Sequence, residues 1–444
     1  MSTSHGMASA DAAWLHMDRP TNLMVINSVL WCDEPIDWDV CREVFSERMV
    51  DRFDRFRQRP VEGPTGPHWQ DADLDLDLHF HRVALPHPGD RRTLQEFVSD
   101  RVPEPLDRSR PLWEVYFIDG FGTGAAVLVR MHHCIADGIS LARVMLELAD
   151  GGDAQSSPGF RAGRRRSTIA SGARAAGTVV RASVATVRHP RRTAATLAED
   201  VQTVAKLILP GSDPETAIRG AQRAAHRVAW SEPLDLWRVK HAARAVGATV
   251  NDVLVAAVAG AVAQLLSDEN ASPHDVHALV PFNLRPLDEP LPRDLGNRFG
   301  LVLLGLPVGV ADPVARTLEV KRRMDAIKDG HEGAITYGIL ELMGHTPPFV
   351  ESRLIDYFSA KGSMVLTNVP GPRRKLSIAG TPLAGVLVWA PCSGSVAMSI
   401  SIFSYAGKVT VGFLTDAGLV PEPQVLADAA RAEALAIARA AQSS

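Results

Sequence analysis

The chain has 444 residues, 46% hydrophobic and 22% charged, the balance of an ordinary globular protein and not of a disordered or fibrous one. That length exceeds what a single core usually supports, so two domains of about 200 residues each are expected. A net charge of −4 says little about partners, and four scattered cysteines (Cys32, Cys41, Cys134, Cys392) with no CxxC pair argue for reduced thiols over a disulfide framework or a structural zinc site.

The opening segment MSTSHGMASADAAWLHMDRP has no basic stretch followed by an apolar core, so no secretory signal is read and a cytoplasmic location is expected. Leu74, Leu76, Leu78 and Phe80 alternate with Asp75, Asp77, His79 and His81, which predicts a half-exposed strand with both histidines facing water. Gly120, Gly122 and Gly124 precede a strand and open no helix, so they are read as a turn and not as a phosphate loop. The strand Ala125 to Met131 runs into His132 and His133. From Ile139 to Leu148 apolar residues recur at helical spacing, which puts "RMHHCIADGIS" on a strand-loop-helix corner.

Composition changes after Gly151. Ala154 to Ala198 contains nine arginines and no acidic residue, and reads as a connection between domains. Arg174, Arg181 and Arg188 share one helix face beside Val180, Val184 and Val187, and Leu197, Val201, Val204 and Ile208 continue an apolar stripe. Two readings stay open: a basic amphipathic surface for an anionic membrane or lipid inclusion across 161–209, or a solvated helix packed on the protein. Nucleic acid is not expected, because no aromatic residues are interleaved with the arginines.

Helices are expected near Leu234 to Val246 and from Val250. Strands are expected near Val276–Val280, Leu301–Leu306, Met364–Asn368, Val386–Trp389, Val396–Phe403 and Val409–Leu414. The uncharged run Ile378 to Gly407 carries prolines, glycines and a period-two pattern, so it reads as buried strands. Val253 to Ser267 fits a core helix. The whole is a mixed α/β chain: domains 1–152 and 221–444, the crossover 153–220, and a cleft between them as the default place for a site.

Adjacent residues at a strand end point to opposite faces, so His132 and His133 are not expected to share a metal ion. A neutral imidazole at a cleft can instead take a proton from a hydroxyl. Asp137 is placed to cap the helix that opens at Gly138 and Ile139. Thr249-x-x-Asp252 has the form of a capping box, which favours fold support over substrate contact for Asn251 and Asp252.

HHCIADG resembles the HHxxxDG signature of the coenzyme A-dependent acyltransferase superfamily, which includes chloramphenicol acetyltransferase and peptide-synthetase condensation domains. "RPLWEVYFIDG", "TVNDVLVAAVAGA", "ADAAWLHMDRPTNLM", "VPFNLRP", "LGNRFG" and "TNVPGP" are similar to motifs of the bacterial wax ester synthase/diacylglycerol acyltransferase family and span nearly the whole chain. Leu23-Met24-Val25-Ile26 departs from the Pro-Met-His-like stretch frequent there. The resemblance implies two chloramphenicol-acetyltransferase-like domains around a cleft or tunnel. It also implies direct transfer of a long-chain acyl group from acyl-coenzyme A to a fatty alcohol or diacylglycerol, without a cofactor. An acceptor that is smaller or more polar, or a carrier-bound donor, is the alternative.

In that reading His133 is the general base, His132 supports it, and Asp137 holds the loop by a salt bridge for which Arg285 is the candidate partner. Pro111, Leu112 and Trp113 pack near the channel. Oxyanion donors are sought among amides near Gly138, Asn297, Asn368, Ser399 and Ser401. Cys134 reads as a small buried residue and not as a nucleophile. A hydrolase is disfavoured by the absence of a GxSxG elbow. A non-catalytic lipid-surface protein is the remaining class.

Overall fold

The computed structural model describes residues 4–21, 23–64, 66–150, 213, 216, 218–267, 275–283, 289–329, 360–392 and 396–443. Two sheets carry the architecture. The first runs, in spatial order, Ser377–Ile378, Thr381–Trp389, Val25–Cys32, Gly124–His132, Trp113–Phe121 and Phe80–Ala84. Only its last pair is parallel. The second runs Phe299–Leu306, Val276–Asn283, Met364–Pro370, Met398–Tyr405, Lys408–Asp416 and His226–Trp230, with Leu234–Asp235 also paired on Lys408–Asp416. A small third sheet joins Ser4–Gly6, His68–Asp71 and Gln58–Val61.

Strand Gly124–His132 is buried at every position, as a central strand covered on both faces must be. It begins where Gly120 (φ 78°) and Gly122 (φ 58°) turn the chain, and a Cβ on Gly124 would lie 2.1 Å from the Cys32 carbonyl oxygen. The glycine cluster is thus a hairpin turn, as its context predicts.

The helices Leu236–Ala245, Val250–Ser267, Pro313–Asp329 and Pro423–Ser443 form the helical layer of the second sheet. Val250–Ser267 is the one described helix long and apolar enough to cross a membrane. Most of its residues are buried in the second core among these neighbours, so it is a core helix. Ile378 to Gly407 supplies strands, as expected, with Met398, Ile400 and Ile402 on one face and Ser399 and Ser401 on the other, all buried.

Two expectations fail at residues 74–81. Leu76–Leu78 is a 3-10 turn capped by Asp75, whose carboxylate accepts the Asp77 N–H at 3.0 Å, and the strand starts only at Phe80. His79 does not face water. It is buried, donates from Nδ1 to the Trp113 carbonyl at 2.7 Å and stacks on the Trp113 ring at 4.3 Å. Local alternation is a weak guide where one side chain finds a buried partner across the sheet.

Thr381–Trp389, far along the chain, pairs directly with Val25–Cys32. The first sheet is therefore completed by the C-terminal half, and across the seam between the sheets Trp31 stacks on Trp230 at 5.8 Å while Trp389 meets Trp230 at 6.0 Å with a 46° tilt. The crossover 153–220 lies almost wholly outside the described residues.

Candidate active site

The site begins where strand Gly124–His132 ends. His133 N–H donates to the Met24 carbonyl at 2.7 Å and Ile135 N–H to the His132 carbonyl at 3.0 Å, which turns the chain out of the sheet. Asp137, extended at φ −70° and ψ 160°, caps helix Gly138–Glu147 by accepting the Ser140 N–H at 2.8 Å.

The adjacent rings diverge, as strand geometry requires. His132 accepts the Cys134 N–H on Nδ1 at 3.1 Å, and its Nε2 lies 3.7 Å from Asp18 Oδ2. Asp18 also accepts the Met24 N–H at 2.8 Å and pairs with Arg108 at 3.1 Å. His132 therefore ties the N-terminal segment to the motif.

His133 faces the opposite way. Trp14 covers it at a centroid distance of 3.9 Å and an interplanar angle of 15°, and Phe299 lies at 5.6 Å. His133 Nδ1 is 3.0 Å from Asn297 Oδ1. Both hydrogens of the Asn297 amide are committed, at 2.8 Å to Asp11 Oδ1 and at 2.8 Å to the His133 carbonyl. This network fixes which end of the amide faces the ring. Nδ1 must carry the proton, and Nε2 keeps its lone pair. Burial pushes the imidazole down to about 3, so the ring is uncharged throughout the neutral range.

The stretch LGNRFG is clamped to the motif loop. Leu295 (φ 49°) and Gly296 (φ 84°) turn it. Gly296 N–H then donates to the Ile135 carbonyl at 3.1 Å and Arg298 N–H to Asp137 Oδ2 at 3.0 Å. Asp137 thus holds the loop through two backbone amides, one on each oxygen. Arg285, the partner expected from sequence, lies outside the described residues.

His133 opens on a largely apolar pocket of ≈ 820 Å³, part of it continuous with solvent. Its walls come from both halves of the chain: Trp14 and Ile26, Leu279, Phe299 and Leu301, Val365 to Val369 except Leu366, and Val388 with Ala390 and Pro391. Asp137, Gly138 and Ile139 also line it, so the amino end of helix Gly138–Glu147 opens on it.

The other sequence candidates fall in different places. Asn368 lines the pocket and donates to Asn251 Oδ1 at 2.7 Å. Asp252 forms the expected capping box, accepting the Thr249 N–H at 2.8 Å and donating its own N–H to Thr249 Oγ1 at 3.2 Å. Asn297 serves the histidine, and its committed amide has no hydrogen left for an oxyanion. Ser399 and Ser401 are sealed beside Val365 and Thr367 and do not line the pocket. Pro111, Leu112 and Trp113 are buried packing residues away from it: Trp113 Nε1 donates to the Phe56 carbonyl at 2.9 Å, and Leu112 O accepts the His132 N–H at 2.9 Å. Cys134 is buried, which holds its thiol well above the ordinary range. Sequence reasoning missed Trp14 and Asp11. The only available signal was their place in ADAAWLHMDRP, where Asp11 and Trp14 are three apart and share a helix face.

Two sheets of mixed α/β topology with HHxxxDG at the end of a central strand, and a pocket drawn from both halves, define an acyltransferase of the chloramphenicol-acetyltransferase-like fold. Known proteins agree. The profile for the wax ester synthase/diacylglycerol acyltransferase catalytic domain matches residues 7–254, and that for the WS/DGAT C-terminal domain matches 295–437. The chain belongs to this family. It is 30% identical over 398 residues to tgs1 of Mycobacterium tuberculosis, named as a diacylglycerol O-acyltransferase, covering 84% of this chain and 81% of that protein. A Mycobacterium bovis protein of the same name class is 31% identical over 407 residues, covering 86% and 87%. The solved wax ester synthase/diacylglycerol acyltransferase of Marinobacter aquaeolei VT8 superposes with a TM-score of 0.70 at 22% identity, covering 98% of this chain and 100% of that one. The first condensation domain of the calcium-dependent antibiotic synthetase shares the fold at a TM-score of 0.62 and 17% identity, covering 99% and 96%.

Proposed function

We propose that the protein transfers a long-chain acyl group from acyl-coenzyme A directly to a fatty alcohol or diacylglycerol, with His133 as general base. The observation that carries this reading is the His133 ring at the wall of an apolar pocket with its Nδ1 3.0 Å from Asn297 Oδ1, an arrangement that leaves Nε2 as the basic nitrogen. Nε2 takes the proton of the acceptor hydroxyl as its oxygen bonds to the thioester carbon. The resulting oxyanion is stabilised by the backbone N–H groups of Gly138 and Ile139 at the amino end of helix Gly138–Glu147, aided by the second amide hydrogen of Asn368. When the C–S bond breaks, the imidazolium returns the proton to the departing thiolate. Atoms and charge balance without a metal or cofactor.

The relatives named as diacylglycerol O-acyltransferases support a lipid acceptor, and the apolar walls suit an alkyl chain. On the same reading the protein works in the cytoplasm, with 161–209 as its contact to the inner membrane face or a lipid inclusion. That segment lies outside the described residues.

Labelled palmitoyl-coenzyme A offered with hexadecanol and diacylglycerol together, followed by lipid chromatography, tests the reaction. Wax ester or triacylglycerol is expected, with at least a hundredfold loss in His133→Ala. Free fatty acid alone, transfer only to a short polar alcohol, or undiminished turnover by His133→Ala would overturn the reading.

A further inference from the structure

The transfer step above makes no use of the buried carboxylate that lies beside Asn297. Asp11, on helix Ser9–Met17, is 1% exposed. Its Oδ1 accepts both the backbone N–H of Asn297 at 2.9 Å and the Asn297 side-chain amide at 2.8 Å. Gly296, at φ 84°, turns the chain so that the Asn297 backbone N–H meets this carboxylate. A carboxylate, an amide and an imidazole therefore stand in line.

We propose that Asp11 is a positioning residue for acyl transfer, acting through Asn297 to keep the His133 proton on Nδ1 and to offset the charge the ring acquires. This rests on the base role assigned to His133 above. An amide has one donor end and one acceptor end. Turned over, Asn297 would present its NH2 to Nδ1, the ring proton would move to Nε2, and no lone pair would face the pocket. An ionised carboxylate only accepts, so it holds the NH2 end toward itself. Its negative charge also polarises the amide, making Asn297 Oδ1 a stronger acceptor for the imidazolium N–H.

Among the described residues, the charged or titratable groups that face Asp11 include Arg55 on the turn Asp54–Arg57, Asp137 ahead of helix Gly138–Glu147, the Cys134 thiol, and His133 beyond Asn297. Burial outweighs the Asn297 hydrogen bonds and Arg55, and pushes the Asp11 carboxyl up to about 6. His133 stays uncharged down to about 3. Loss of turnover as pH falls through about 6 therefore follows Asp11, not the base.

The test is kcat and KM from pH 5 to 8.5 for the wild type, Asp11→Asn and Asp11→Ala. Asn keeps an acceptor oxygen and loses the charge, so kcat is expected to fall about tenfold with KM little changed and with the inflection near pH 6 abolished. Ala releases the amide as well, and a loss on the order of a hundredfold is expected, within the range of general-base catalysis. Nitrogen-15 NMR of the wild-type imidazole covers the case in which the variants do not fold: an Nδ1–H tautomer is expected for His133 at pH 8. An Nε2–H tautomer sinks the proposal, and so does a wild-type kcat or an unmoved inflection in Asp11→Asn. A wild-type rate in His133→Ala would defeat the base reading itself, whereas dependence on His133 with indifference to Asp11 defeats only this inference.

Discussion

Trp14 lies flat on His133, 3.9 Å between ring centroids and 15° between planes, on the face that strand Gly124–His132 turns away from His132. The indole restricts the imidazole to the orientation in which Nδ1 meets Asn297, and it contributes to the desolvation that keeps the ring neutral. Replacing it would loosen the His133 ring without removing its hydrogen bond to Asn297.

Trp14→Ala is accordingly expected to lower kcat by about tenfold or more, because small misplacements of a reacting group are heavily penalised. It should also lose about 3 kcal/mol or more of stability, as buried tryptophan truncations do. Trp14→Phe keeps a ring over His133 and should recover most of the rate. Steady-state kinetics with urea unfolding checks both, and equal kcat in the Ala variant would refute the stacking role.

The two buried titrating groups pull stability in opposite directions with pH. His133 binds a proton more weakly folded than unfolded, so it contributes stability that grows as pH rises from about 3 to the ordinary histidine value near 6.5. Asp11 binds a proton more tightly folded, so its contribution is present below the ordinary 3.8 and falls as pH rises toward about 6. Between those limits the two partly cancel in the wild type. In His133→Gln only the Asp11 slope remains, so its stability relative to wild type should fall steadily from pH 4 to pH 6. Urea midpoints at four pH values measure this, and a flat difference would contradict it.

Asp137 joins two pieces of chain: its own helix through the Ser140 N–H, and LGNRFG through the Arg298 N–H. Asp137→Ala removes a cap worth about 0.5–2 kcal/mol and leaves a second backbone donor unpaired, at about 1–3 kcal/mol more if it stays dry. Asp137→Asn keeps only one acceptor oxygen and should fall between the two. Thermal unfolding orders the series as wild type, Asn, Ala. A destabilisation below 0.5 kcal/mol in Ala would show that the clamp is dispensable.

Ala390 lines the pocket on the strand end after Trp389. Ala390→Phe should narrow the chain-holding space and shift preference toward shorter acyl donors. Each methylene denied burial removes about 0.8 kcal/mol, or about fourfold in relative kcat/KM. A C8 to C16 donor panel reads the shift, and an unchanged profile would place the acyl chain elsewhere.

Much of this arrangement was legible before any coordinates. The strand-loop-helix corner, the Asp137 cap, the Thr249–Asp252 box and the core helix from Val250 each rest on neighbours within a few residues, where spacing alone carries the information. His79 was misjudged because its partner, the Trp113 carbonyl, lies across the sheet. Asn297 was noticed but given the wrong chemistry. Its amide is spent on Asp11, 286 positions away, and no local pattern reveals a hydrogen bond over that distance. Ser399 and Ser401 read correctly as one strand face, but which face meets the pocket depends on how two sheets lie together.

The pairing of Thr381–Trp389 with Val25–Cys32 bears on how the protein is born. A ribosome that has released only the first half has made the histidine but not its amide partner, the far wall of the pocket or the strand that closes the first sheet. The candidate site is therefore completed late in synthesis. A nascent chain stalled before residue 380 lacks the strand that completes the first sheet, and separately expressed halves must find each other before the pocket has both its walls.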